Sequence, residues 1–413
     1  MFKKQEPNNR IMNIVLIMPN TTPVPATRGG ATENMMNLLI DVNEIEQKHH
    51  FILFSTFDKE AFEQSKNYKY TEFHYYKRGK YDNLIELISR ILRKLTFEHR
   101  DVRSNYIRFC ANVINHKDVD MVIVEGYCFS IQQFRNLIGN KMLVLHMHID
   151  RLNREMRSSG RIIRSCDALL AISEFCKRRM LDVEPSYKER VHVLKNTIDT
   201  ERFCAEGRED KVMRVYEKIG VKPWQNVVYY CGRVVPDKGV LELVQAVEKL
   251  DEDDIHLLII GSSVYRDGKT TPYMDKVSKE GKALRNGITF TGYIPQSELP
   301  NYISGATLAA VPSKWLEAAG NVTIEALSCG VPVVASTQGG IPEYADGRAC
   351  ALVKFDENFV DSLAKTIHEV LNDKEQLAEM KASARSVALQ YDKNNYYKNF
   401  CDVVERIMKN GKR

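Results

Sequence analysis

Two glutamates eight residues apart, Glu317 and Glu325, bracket the run Glu-Ala-Ala-Gly-Asn-Val-Thr-Ile-Glu. The run continues as Ala-Leu-Ser-Cys-Gly330 and enters the apolar stretch Val331–Ser336. Asn321 is a suitable N-cap and Gly330 a suitable stop, so a short helix is expected between them. Its first turn would offer free backbone N–H groups just after a glycine-containing loop, an arrangement that holds phosphate oxygens. Carboxylates do not bind phosphate, but they accept hydrogen bonds from sugar hydroxyls. An isolated pair of this kind is ordinarily a solvated surface feature. Here the helix is largely apolar, and a carboxylate at Glu325 on such an element needs a partner.

A second run, Gly232-Arg-Val-Val-Pro-Asp-Lys-Gly239, leaves a strand and opens a helix. Arg233 and Lys238 in that crossing could neutralise a diphosphate leaving group. Taken alone it is an ordinary strand-to-helix loop with two solvated cations; a second phosphate-type loop in the same half of the chain gives it weight. A third run, Thr27-Arg-Gly-Gly-Ala-Thr-Glu33, follows the first strand, and Gly29 and Gly30 allow close backbone approach to a ligand. It is not the Gly-x-Gly-x-x-Gly dinucleotide fingerprint. A fourth, His146-Met-His148-Ile-Asp150, sits at a strand end with both histidines on one face. It suits either a metal site, hence a metal-dependent hydrolase, or a single histidine touching a substrate hydroxyl.

These runs need a scaffold that presents strand ends and helix starts together. Short apolar stretches alternate with helical patterns along the chain. Strands are expected at Ile14–Met18, Phe51–Phe54, Met121–Glu125, Met142–Met147, Ala168–Ile172 and Val191–Leu194, then at Val227–Cys231, His256–Ile260, Ile288–Thr291, Leu308–Val311, Pro332–Ala335 and Ala351–Lys354. Continuous apolar strands separated by helices imply parallel sheets covered on both faces. The rhythm restarts after the charged stretch 196–210, so two doubly wound domains facing a shared cleft are expected. The boundaries read as 1–198, 199–392 and a closing helical segment, 393–413, returning to the first domain.

The chain has 413 residues, 44% hydrophobic and 27% charged, values of a globular protein. No window has the ~18 apolar residues of a membrane-spanning helix. Nine cysteines without a Cys-x-x-Cys pair point to reduced thiols and a cytoplasmic protein. The net charge is +5, but residues 1–200 carry 31 Lys and Arg against 24 Asp and Glu. Residues 66–108 hold 11 basic and 5 acidic side chains, interleaved with Tyr68, Tyr70, Phe73, Tyr75, Tyr76 and Tyr81. This segment reads either as a face for an anionic membrane or a phosphorylated, lipid-linked acceptor, which would make the protein peripheral on the inner membrane face, or as a solvated helix pair. No nucleic-acid-reading motif accompanies it.

Taken together, Glu317…Glu325 with Ala-Leu-Ser-Cys-Gly-Val-Pro-Val-Val-Ala-Ser, the Gly-Arg-x4-Lys-Gly loop, the Gly-Gly loop and Asn196-Thr-Ile-Asp resemble the retaining GT-B glycosyltransferases of family 4. Val144-Leu-His-Met-His, Val235-Pro-Asp-Lys-Gly and the Tyr265–Lys269 insert are similar to lipopolysaccharide-core N-acetylglucosaminyltransferases. The resemblance implies two Rossmann-like domains and transfer of a hexosyl unit (GlcNAc, Glc or Gal) from a nucleotide diphosphate sugar, UDP-linked by the subgroup likeness. The acceptor would be a hydroxyl of a cell-surface polysaccharide or lipid-linked glycan. It implies that Glu317, with the amides of Ala318, Ala319, Gly320 and Asn321, holds the donor sugar, and that Glu325 binds ribose. Arg233 and Lys238 would neutralise the diphosphate, Gly29 and Gly30 would approach a phosphate, His146 would touch the sugar, and Tyr293 and Ile294 would hold the base. With two cations at the diphosphate, no metal or other cofactor is required. The chain departs from the family at Ala318–Asn321, where a bulky residue or Pro followed by Gly is more usual. A sugar-nucleotide epimerase is the other alternative.

Overall fold

The computed structural model describes residues 11–411 except 97–101, 103, 251, 253, 263–270, 283 and 286. The Tyr265–Lys269 insert therefore lies outside the described residues, as does part of the basic segment 66–108. Thirteen strands run through the described residues. In the first half they are β1 (Met12–Ile17), β2 (His49–Thr56), β3 (Thr71–Tyr76), β4 (Met121–Glu125), β5 (Leu143–Met147), β6 (Ala168–Ala171) and β7 (Val191–Val193). In the second they are β8 (Asn226–Cys231), β9 (Ile255–Ile260), β10 (Ile288–Gly292), β11 (Leu308–Val311), β12 (Val333–Ser336) and β13 (Cys350–Val353).

The first seven form one sheet in the order β3-β2-β1-β4-β5-β6-β7, and the other six form a second, β10-β9-β8-β11-β12-β13. Every strand pairing in both is parallel. Parallel neighbours need a crossover with helices on the sheet faces, which is why β1, β4, β5 and β9 are buried along nearly their whole length rather than at alternate residues. In each sheet the order reverses at one place, between β1 and β4 and between β8 and β11. Loops leaving the carboxyl ends of strands at such a reversal diverge and leave a crevice, the usual ligand position in open α/β sheets.

The sheets belong to two compact units. One comprises the described residues up to Lys195 together with those from Tyr396 onward; the other is Asn196–Asn395. The helix Lys393–Gly411 contributes Tyr396, Tyr397, Phe400, Val404 and Ile407 to the core of the first unit, among Ile14, Leu39, Ile40 and Phe51. Tyr397 OH donates to Asn43 Oδ1 at 2.6 Å, which fixes the depth of this helix.

Strand β3 was not expected, because five of its six residues, Glu72 to Tyr76, are aromatic or charged and it mimics a solvated segment. As an edge strand it uses them locally. Tyr75 OH donates to Val24 O and Ala61 O, Tyr76 OH to Asp82 Oδ2, Tyr68 OH to Asp41 Oδ1 and Tyr70 OH to Gln47 Oε1. Those tyrosines anchor the sheet edge, and of the six aromatics Tyr81 alone is strongly exposed, at 65%.

Candidate functional site

In the second unit the loops after β8 and β11, on either side of the strand-order reversal, carry the residues that the sequence singles out. The loop after β8 makes a 3-10 turn at Pro236–Lys238 before the helix Val240–Leu250 begins, two residues later than Lys238. Gly239 joins them with φ +70°, and a Cβ there would sit 1.9 Å from Pro312 O. Only glycine lets this loop lie against the loop after β11. The contact brings Lys238 Nζ to Glu317 Oε1 as an ion pair, while Ser313 Oγ donates to the same oxygen at 2.7 Å. Glu317 is further held through its backbone, since Gly340 N–H donates to its carbonyl at 2.7 Å. The cation assigned to the diphosphate and the carboxylate assigned to the sugar therefore touch each other. Arg233 is exposed, and no described residue pairs with its guanidinium; its carbonyl accepts from Tyr230 OH at 2.6 Å.

The helix after this loop runs Asn321–Ser328, one residue ahead of the expected start. Asn321 is not its cap: Gly320 occupies that position without a side-chain bond, and Asn321 is the first helical residue, its Oδ1 accepting from Asn196 Nδ2 at 2.7 Å. Gly330 does close the helix, in the left-handed conformation at φ +76°. Thr323 Oγ1 in the first turn is buried without a protein partner. Ala318 and Ala319 are half-buried on the same loop.

Glu325 lies one turn into the helix. Burial pushes its carboxyl up to about 7, against a hydrogen bond from Gln296 that lowers it. Gln296 comes from the loop after β10, where Tyr293 is exposed and Ile294 packs against the core. Ser313 and Gln296 are site residues that sequence reading missed. Neither has a local signature; each is identified by which loop lies beside its glutamate.

In the first unit, Gly29 (φ +74°) and Gly30 (φ +117°) end the loop after β1, immediately before the helix Ala31–Glu46. A Cβ on Gly30 would lie 2.1 Å from Glu33 Oε2, so the Glu33 side chain folds back over the glycine, where it accepts from Thr22 Oγ1. His146, one residue before the end of β5, is in register with Glu125 at the end of β4. Glu125 Oε2 lies 3.0 Å from His146 Nδ1 and 2.6 Å from His148 Nε2, and the two imidazole centroids are 4.2 Å apart. Burial works to raise the Glu125 carboxyl, but the two imidazoles outweigh it and hold it down at about 2. Burial and the neighbouring His146 lower the pKa of His148. His146 Nε2 is buried with no protein partner.

The third member of this cluster is thus Glu125 and not Asp150, which pairs instead with Arg179 Nε at 3.0 Å. Glu125, His146 and His148 are close enough to share a metal, their ligand atoms lying within 4.8 Å of one another. Both imidazoles meet the carboxylate at the same oxygen, Oε2. The signal for Glu125 was its place at a strand end before Gly126, but its pairing with His146 requires knowing that β4 and β5 are neighbours.

Residues 215–387, most of the second unit, match the family Glycosyl transferases group 1. The chain is 27% identical over 304 residues to the lipopolysaccharide 1,2-N-acetylglucosaminetransferase of Salmonella typhimurium, covering 72% of this chain and 74% of that protein. It is 22% identical over 291 residues to the putative glycosyltransferase YtcC of Bacillus subtilis, covering 68% and 71%. Its fold is similar to that of Anabaena Alr3699/HepE crystallised with UDP-glucose, at TM-score 0.71 and 18% identity, over 95% of this chain and 99% of that one. Two Rossmann-like parallel-sheet units in one chain, with such neighbours, are the GT-B fold.

Proposed function

We infer that a chain whose second unit carries a group 1 glycosyl transferase segment is itself a glycosyltransferase that draws on a nucleotide-sugar donor. The finer reading is a retaining hexosyltransferase of the family 4 type. It moves a GlcNAc, Glc or Gal unit, UDP-linked, to a hydroxyl of a cell-surface polysaccharide or lipid-linked glycan. UDP is favoured because one structural neighbour was crystallised with UDP-glucose and one relative is named for N-acetylglucosamine transfer.

The observation that carries the reading is the Lys238–Glu317–Ser313 group at the sheet's strand-order reversal. The ion pair holds the Glu317 carboxylate in place, ready to accept sugar hydroxyls. An ammonium has three donors, so Lys238 can retain Glu317 and still meet a phosphate oxygen. Arg233, which no described residue pairs, adds a second cation, and the first turn of the helix Asn321–Ser328 adds backbone N–H groups. As the diphosphate departs, negative charge builds on its oxygen and these groups stabilise it. The leaving oxygen then takes the proton of the acceptor hydroxyl, which bonds to the anomeric carbon on the face that the diphosphate has left. Glu325 accepts from the ribose hydroxyls, the amides of Ala318–Asn321 meet the sugar, and Tyr293 and Ile294 hold the base. His146 contacts the sugar, and Gly29 and Gly30 approach a phosphate. No metal takes part in this scheme.

A metal-dependent hydrolase is not favoured, since the family segment and the relatives named above are described as glycosyltransferases. A thermal-shift screen of UDP-, GDP-, ADP- and TDP-sugars tests the donor. A ligand at 100 times its dissociation constant stabilises by about 2.7 kcal/mol, well within detection. UDP-hexoses should raise the melting temperature with and without EDTA; no response to any nucleotide sugar would overturn the reading.

A further inference from the structure

We propose that the helix Asp82–Leu95 of the first unit is a docking surface for an anionic lipid bilayer. Its apolar residues Leu84, Leu87, Ile88, Ile91 and Leu95 follow helical spacing and form one stripe. A stripe of that kind ordinarily covers a core. Here it faces outward: the five side chains are 41% to 71% exposed. The buried side of the helix is its polar edge. Asp82 and Ser89 are the buried residues, and Asp82 accepts from Tyr76 OH, Gly79 N–H and Asn105 Nδ2 at 2.7, 2.7 and 2.9 Å. The helix is therefore tethered through its polar groups and turned with its apolar face to solvent.

The charge around the stripe selects the occupant. The helix's two acidic groups are turned away from the stripe: Asp82 is buried among its three hydrogen-bond donors, and Glu86 pairs with Arg78 at 2.8 Å. Lys80, Arg90 and Lys94 are exposed, with Arg90 and Lys94 one turn apart along a flank of the stripe. A second copy docking on this face would set those cations against themselves. A bilayer carrying anionic headgroups supplies what both features lack, phosphates for the cations and acyl chains for the leucines and isoleucines. A helix of 14 residues, about 21 Å long, lies flat in the headgroup region without crossing it. None of this rests on the transferase reading, because lipid binding is measured without donor or acceptor.

The test is co-sedimentation of the whole chain with vesicles of phosphatidylcholine alone and of an equal mixture with phosphatidylglycerol. The chain should pellet with the anionic vesicles and remain in solution with the neutral ones. The double substitution Leu87→Asn/Ile91→Asn alters side chains that already face water, so circular dichroism and melting temperature should be unchanged while vesicle binding is lost. Arg90→Gln/Lys94→Gln should weaken binding on the order of 30-fold. Failure of the native chain to pellet with anionic vesicles, or unchanged binding by Leu87→Asn/Ile91→Asn, would overturn the proposal. So would sedimentation velocity showing a dimer that the double substitution dissolves, which would give the face to a second copy.

Discussion

Lys238 and Glu317 hold each other as an ion pair, so the chemical roles proposed for them are coupled to a structural contact. Replacing Lys238 with alanine should lower turnover by ~10²–10³, the usual loss when one charge-stabilising donor is removed. The side chains are only 27% and 20% exposed, but Glu317 keeps Ser313 Oγ when the ammonium is gone, so the chain should stay folded by circular dichroism with a modest drop in melting temperature; loss of folding would show the lysine to be structural. Glu325 behaves differently because burial raises its carboxyl to about 7. The folded state favours the protonated form, so its contribution to stability is complete below the ordinary carboxylate range near 4.5 and is lost as pH rises through about 7. The ligand-free melting temperature should fall between pH 5 and 8, and Glu325→Gln should flatten that slope. Under the role proposed for Glu325, ribose hydroxyls, as donors, select the ionised form. Donor affinity should therefore rise roughly tenfold from pH 6 to pH 8, a trend that isothermal titration of native and Glu325→Gln proteins would separate from other groups.

At the scale of elements, the decisive feature is how closely the two loops beside the β8–β11 reversal approach. Gly239→Ala would put a methyl group 1.9 Å from Pro312 O and hold a left-handed backbone with a Cβ. The backbone alone should lose about 1–2 kcal/mol, and the loop bearing Ser313 and Glu317 must also shift; urea unfolding and turnover measured together should both decline. Most of these elements were legible beforehand because their runs are apolar and bounded by glycine or polar residues, as at Met121–Glu125 and Leu308–Val311. What escaped was structure whose signal is not local. Strand β3 is rich in tyrosine and borders charge, and only its pairing with β2 reveals it. The cap of the helix Asn321–Ser328 was misjudged because Asn321 is drawn instead to Asn196. Glu125 joined the histidines in place of Asp150 because parallel register, not spacing along the chain, sets those neighbours.

Across the whole molecule, charge and connectivity are both unevenly spread. The basic excess lies in the first 200 residues, the half that carries the outward-facing helix Asp82–Leu95. The first unit is also discontinuous, closed by a helix that follows the entire second unit. Phe400, 2% exposed, stacks edge-on with Phe51 at a centroid distance of 6.0 Å. Phe400→Ala should cost about 3–5 kcal/mol, and hydrogen exchange should register the loss in β1 and β2, hundreds of residues away along the chain. The same arrangement bears on synthesis. When Lys195 leaves the ribosome, the sheet that precedes it still lacks the tyrosines and phenylalanine that finish its interior. At ~5–20 residues per second, roughly 10–40 s pass before they emerge. For that interval the nascent first unit carries an open apolar seam, so this is a protein whose earliest-made half must wait for its latest-made segment, and one for which a chaperone near the exit tunnel has a defined surface to shield.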